Sequence, residues 1–166
     1  MNIFTTILKK LISLIMTFIL VVGVTFIVLY LVGIVPYVVV SGSMEPTIQT
    51  GSLCFINKHA AYSSIRVNDI IAYRAPTGAN VTHRVVRITS EGFETQGDKN
   101  NTSDGFSTNQ NNFLGKNVFS IPKLGYAVRE MQTTTGRIIV VTTAIVILAA
   151  SFLMDDTKRK SRIEST

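Results

Sequence analysis

Two long uncharged runs bracket a polar, turn-rich middle. From Leu11 to Val40 the chain is apolar almost throughout, and no Lys, Arg, Asp or Glu occurs between Lys10 and Glu45. A helix needs about 20 residues to cross the hydrocarbon core of a bilayer, so part of this run must do something else. Gly33 and Pro36 supply the break, because proline biases the residue before it away from helical backbone. The pattern predicts a helix near Leu11–Val32, with the β-branched Val38, Val39 and Val40 opening a strand. The second run, Ile138–Met154, has 17 residues and sits at the short end for a crossing. It reads as a second span or as a buried core helix.

Between the runs there is no convincing 3.6-residue period. Short β-rich stretches occur instead at Val38–Val40, Ser52–Asn57, Asp69–Tyr73, Thr82–Ile88, Phe93–Gln96 and Val118–Ile121. Turn residues separate them at Thr50-Gly51, Pro76-Thr77-Gly78, Ser90-Glu91-Gly92 and Gly97-Asp98. Asp98–Asn112, rich in Asn, Ser and Thr, reads as a flexible loop. The prediction is a compact all-β domain tethered at both ends.

Composition narrows the class. The 166 residues are 46% hydrophobic and only 16% charged, against about a quarter charged in ordinary soluble domains. One cysteine, Cys54, excludes an intrachain disulfide framework, and with only two histidines a Cys/His zinc site is not expected. Cys54 lies inside an apolar run and reads as a core filler. The net charge of +6 is spread along the chain, with Lys158, Arg159 and Lys160 the one basic cluster. Placed just after a span, that cluster reads as a cytoplasmic anchor, not a nucleic-acid surface.

Lys9 and Lys10 also suit the start of a cleaved secretory signal, but the apolar run is too long and no small-residue cleavage site follows, the first alanine being Ala60. A retained anchor is therefore expected. The positive-inside rule then puts both termini in the cytoplasm. The absence of cations from Leu11 to Asn57 agrees, whereas Arg137 runs against it. The resulting division is a cytoplasmic tail 1–10, a transmembrane helix 11–32, an extracytoplasmic β domain 33–136, a transmembrane helix 137–154 and a cytoplasmic basic tail 155–166.

Candidate chemistry starts at Ser41-Gly42-Ser43-Met44-Glu45-Pro46, directly after the valine strand. A nucleophilic serine needs an exposed hydroxyl on a rigid backbone, a base and oxyanion donors. The segment reads equally as a polar turn at a membrane exit. His59 falls in a solvated loop, whereas His83 lies in the alternating Val81-Thr82-His83-Arg84-Val85-Val86. A lone histidine is more often structural than catalytic. A carboxylate orienting the ring would come from Asp98 or Asp104, 15 and 21 residues after His83.

Ser-Gly-Ser-Met-Glu-Pro, His-Arg-Val-Val and Gly-Asp-Lys-Asn-Asn-Thr-Ser-Asp, in that order, resemble type I signal peptidases. The similarity is to the endoplasmic-reticulum-type branch, where a histidine replaces the general-base lysine of the ordinary bacterial enzymes. It covers roughly residues 37–126. Val67-Asn68-Asp69-Ile70-Ile71 matches the strand after the nucleophile, and Ile121-Pro122-Lys123-Leu124-Gly125-Tyr126 the closing segment. Gly51-Ser52 departs from the family's usual Gly-Asp.

The resemblance implies a mostly β fold, a compact signal-peptidase-type β domain flanked by N- and C-terminal transmembrane helices. It implies a membrane-bound serine endopeptidase of a prokaryotic plasma membrane that removes signal peptides from secreted preproteins. Ser43 is then the nucleophile, His83 the general base, Asp104 the third member, and Asp98 a brace for the loop or an aid to the base. The oxyanion hole falls to the Ser43 N–H and the Ser41 hydroxyl, and Val40, Met44 and Pro46 line substrate pockets. No metal or cofactor is implied. Partners are signal peptides and the lipid bilayer, with translocation machinery or partner subunits as further candidates.

Two rivals stand beside it. One is an inactive membrane-anchored relative acting as an assembly or binding module. The other is a self-cleaving regulator, a class that pairs Ser with Lys and carries a DNA-binding segment. With a helix end near Val32, Ser43 is eleven residues further on, within roughly 35–40 Å of the bilayer surface at about 3.5 Å per residue.

Overall fold

The computed structural model describes residues Ile3–Ile163, with side-chain surroundings up to Ala149 apart from Phe4, Thr5 and Leu148. The basic side chains at Lys158–Lys160 and Arg162 lie outside the described ones. The chain divides into two units, a helical one (up to Ile27 and from Met131) and a β domain, Val28–Glu130.

Helix α1 (Ile3–Leu31) contains a stretch, Thr6–Leu31, that is 26 residues long with a mean hydropathy of 2.8, and none of its most apolar window is buried. Length and composition therefore suffice for a membrane crossing. The helix ends at Gly33, whose φ of +79° is the left-handed cap conformation that costs glycine little. Helices α2 (Leu124–Gln132) and α3 (Thr134–Ile163) close the chain. Within α3 the apolar stretch among the described side chains is Thr134–Ile147, shorter than a full crossing.

Seven strands form one antiparallel sheet: β1 (Ile34–Val38), β2 (Leu53–Asn57), β3 (Ile70–Arg74), β4 (Asn80–Thr89), β5 (Gly92–Gln96), β6 (Ser107–Thr108) and β7 (Phe113–Ile121). Their spatial order is β1-β2-β7-β3-β4-β5-β6. The first strand opens four residues earlier than the valine run suggested and contains Pro36. Proline is tolerated there because β1 is an edge strand, where a missing N–H need not break a ladder.

The core lies on both faces of the sheet. Alternation sends Ile70 and Ala72 to one face with Met44, Ile48, Cys54 and Ile56, and Ile71 and Tyr73 to the other with Ile65, Val85 and Phe93. Burial pushes the Cys54 thiol up to about 11, as suits an inert filler. On β4 the register sets His83 opposite Ile71. The histidine therefore belongs to the second face. A bulge at Val86 lets Arg87 face Glu94 and adds local twist.

Candidate active site

The nucleophile segment is a chain of turns between β1 and β2. Both ends are pinned, by the Val39 N–H on the Ser52 carbonyl at 2.9 Å and the Gly51 N–H on the Val39 carbonyl at 2.8 Å. Inside it, the Ile48 N–H donates to the Met44 carbonyl at 2.9 Å. Glu45 accepts the Thr50 hydroxyl at 3.0 Å and the Lys99 ammonium at 3.0 Å. Hydrogen bonds from Lys99 and Thr50 hold the Glu45 carboxyl below its usual range.

Ser43 is partly exposed in this turn, and its hydroxyl oxygen lies 2.9 Å from His83 Nε2. The other ring nitrogen, Nδ1, lies 2.9 Å from Asp104 Oδ1 and 2.8 Å from Oδ2. Burial alone would raise the Asp104 pKa. Hydrogen bonds from His83, Thr95 and Tyr73 outweigh it and leave the carboxyl below its usual value, hence ionised at neutral pH. A carboxylate beside Nδ1 favours the tautomer with the proton on Nδ1, which leaves Nε2 to accept from the serine.

The remaining residues singled out from the sequence fall as follows. Among the described residues Asp98 makes no hydrogen bond to the imidazole ring, although the charge of His83 adds to the lowering of its pKa. It makes a two-point contact with Arg84, Nε to Oδ1 at 2.8 Å and Nη2 to Oδ2 at 2.7 Å. That pairing lowers the Asp98 pKa and raises that of Arg84. Of the two aspartates, Asp104 lies against the ring and Asp98 against Arg84. Ser41 is exposed, with its hydroxyl 3.3 Å from that of Ser43. Val40 is 72% exposed.

Met44 corrects an expectation. It is only 2% exposed and packs against Ile48, Cys54, Ile56 and Ala72. It anchors the turn into the core and presents no surface to a substrate. Pro46 instead lines an open cavity of about 460 Å³ with Glu45, Gln49, Thr50, Lys123 and Tyr126.

Four contributors escaped the sequence reading. The Lys99 N–H donates to the Ser43 carbonyl at 2.9 Å, and a side chain at Gly97 would place its Cβ 2.6 Å from that oxygen. Tyr73 donates its hydroxyl to Asp104 Oδ2 at 2.7 Å, and Thr95 donates to the same oxygen at 2.6 Å. Gly97 carries a sequence signal, its place in Gly-Asp. Tyr73 and Thr95 look like ordinary strand residues.

The family described as signal peptidase, peptidase S26, matches residues 8–162, and the chain belongs to that family. Over 70 residues it is 39% identical to signal peptidase I W of Bacillus subtilis (strain 168), 40% of this chain and 37% of that protein. Over 102 residues it is 36% identical to the signal peptidase complex catalytic subunit SEC11 of Colletotrichum graminicola, 54% of this chain and 59% of that protein. The Neurospora crassa counterpart is 33% identical over 101 residues, again 54% and 59%. The chain thus spans between 37% and 59% of the length of these curated relatives.

Proposed function

We propose that this chain is a membrane-anchored serine endopeptidase that removes N-terminal signal peptides from secreted preproteins. The observation that carries the proposal is the line Ser43 Oγ, His83 Nε2, His83 Nδ1 and Asp104, with contacts of 2.9 and 2.8 Å. Ser43 attacks the scissile carbonyl carbon while His83 Nε2 takes the hydroxyl proton. Asp104, ionised, offsets the charge of the imidazolium. The carbonyl becomes a tetrahedral oxyanion, received by the Ser43 N–H and the Ser41 hydroxyl. The imidazolium then gives its proton to the leaving amine, and the signal peptide stays as an ester on Ser43. Water, deprotonated by the same ring, releases it.

The substrate binds extended. Within the sheet β4 pairs with β3 along Asn80–Arg84, but with β5 only from Arg84 onward. The stretch Asn80–His83 therefore has no β5 partner on its second edge, where an extended peptide can add as a strand beside His83. Residues 11–32 and 137–154 are the membrane spans, with the β domain outside and both tails in the cytoplasm. The apolar character of α1 supports the first span. Two relatives are named as catalytic subunits of a signal peptidase complex, which makes partner subunits a natural extension of this reading.

The test is cleavage of a synthetic preprotein by the detergent-purified chain, with Ser43→Ala as control. A triad acting as a unit loses about six orders of magnitude in turnover when its nucleophile is removed. Retained cleavage by Ser43→Ala would take the serine out of the mechanism. A folded wild-type chain that cuts nothing would favour the inactive binding module instead.

A further inference from the structure

Antiparallel register brings three side chains from three adjacent strands to one spot. Tyr73 of β3 pairs with Val81, two residues from His83 on β4, and Thr95 of β5 pairs with Val85, two residues from His83 on the other side. Paired residues share a face, and every second residue returns to it. Tyr73, His83 and Thr95 therefore project together. Asp104 arrives over them from the segment between β5 and β6, its backbone N–H bound to the Thr95 carbonyl at 2.9 Å. Thr95 thus holds Asp104 twice, by main chain and by hydroxyl.

The hydroxyls of Tyr73 and Thr95 converge on a single atom, Asp104 Oδ2, at 2.7 and 2.6 Å. A carboxylate held at one oxygen by two fixed donors cannot turn about its own axis, whereas an unheld one offers its oxygens in any orientation. Tyr73 and Thr95 are 1% and 0% exposed, so no bulk water competes for these hydroxyls. Edge-on contact with Phe106, ring centroids 5.7 Å apart, fixes the phenol ring. A phenylalanine at position 73 would pack into the cluster of Ile65, Ile71, Val85 and Phe93 as well as tyrosine does. The hydroxyl is what packing leaves unexplained.

We propose that Tyr73 and Thr95 are positioning residues that lock the Asp104 carboxylate against His83 Nδ1, so that the ring keeps one tautomer and Nε2 stays aimed at Ser43. Neither residue touches the substrate. The inference rests on the Ser43–His83–Asp104 reading. Burial raises the Tyr73 pKa, helped by the neighbouring carboxylate, so the phenol remains a donor throughout the working range.

Tyr73→Phe and Thr95→Val each remove one hydroxyl at nearly constant shape, and Thr95→Ser restores one. Each deletion is expected to lower kcat about ten- to a hundredfold, the size of a lost hydrogen bond to a charged group, with KM unchanged and Thr95→Ser close to wild type. With only two histidines in the chain, ring-labelled samples give an assignable Nδ1 proton for His83. Its downfield resonance is expected to broaden or move upfield in Tyr73→Phe and Thr95→Val. A sheet circular-dichroism spectrum equal to wild type shows that each variant folds. Unchanged kcat, or a fall in kcat with an unaltered His83 resonance, overturns the proposal. A wild-type chain inactive on preproteins defeats the peptidase reading, while the resonance comparison still decides whether the hydroxyls hold the ring.

Discussion

Replacing Asp104 by asparagine tests the charge of the site without changing its shape. Both carboxylate oxygens lie 2.8–2.9 Å from His83 Nδ1. The Tyr73 and Thr95 hydroxyls donate to Oδ2 and so hold the amide oxygen there, which sets the NH2 group at Oδ1, 2.9 Å from His83 Nδ1, where it competes with the ring's own N–H. One tautomer is no longer enforced, and in the other, with the proton on Nε2, the ring cannot accept from Ser43. The imidazolium formed during attack also loses its counter-charge. At 2.8 Å and an effective dielectric of about 20, that attraction amounts to about 6 kcal/mol. At about 1.4 kcal/mol per decade of rate, kcat should fall by about four orders of magnitude. KM should hold, because Asp104 does not touch the substrate. Single-turnover cleavage of a quenched-fluorescence signal-peptide substrate, in the same detergent for both proteins, measures the ratio. A folded Asp104→Asn within tenfold of wild type would refute the role given to this carboxylate.

Two further consequences can be checked. Gly97→Ala places a methyl 2.6 Å from the Ser43 carbonyl oxygen; overpacking of this kind costs about 1–3 kcal/mol, and a nucleophile displaced by a fraction of an ångström loses turnover. Calorimetry and kcat should both fall, and a wild-type melting curve with wild-type kcat would show that the approach is loose. The Arg84 guanidinium holds the Asp98 carboxyl below its ordinary 3.8. The unfolded chain thus takes up that proton first on acidification, and the stability from the pair, full above the ordinary carboxylate range, is lost progressively as pH falls from there through the lowered folded-state value. The gap in melting temperature between wild type and Asp98→Asn should be widest near neutrality and shrink below about pH 4; a gap constant from pH 7 to 3 would contradict this.

Local pattern carried much of the architecture. Alternation at Val81–Val86 marked the strand that bears His83, and turn residues marked the start of β2, the β3–β4 and β4–β5 connections and the end of β5. The beginning of β1 was hidden because Val32–Tyr37 are as apolar as the helix before them; only the sheet partner β2 turns them into a strand. The two-residue β6 is too short for any period to register, and β7 begins in Phe113–Lys116, where Gly115 interrupts the alternation. At the site, Ser43 and His83 were singled out through the short motifs that carry the resemblance, and the fold brings them to 2.9 Å.

The choice between Asp98 and Asp104 was not legible locally. It depends on which carboxylate Arg84 engages and on where the polar segment crosses the sheet. Tyr73 and Thr95 were invisible for a related reason. Their roles follow from a strand order that sets β3, β4 and β5 side by side, and sequence spacing within one strand cannot encode it.

The five residues Thr95 to Lys99 hold two members of the array, Asp104 and Ser43, and the neighbour of the third, Arg84. Thr95 grips Asp104, Asp98 clasps the arginine next to His83, and Lys99 binds the backbone of Ser43. Such wiring makes failure collective. A local opening of this one stretch, far smaller than global unfolding, disconnects nucleophile, base and acid in a single event, so on warming the activity should vanish while the rest of the sheet is still intact.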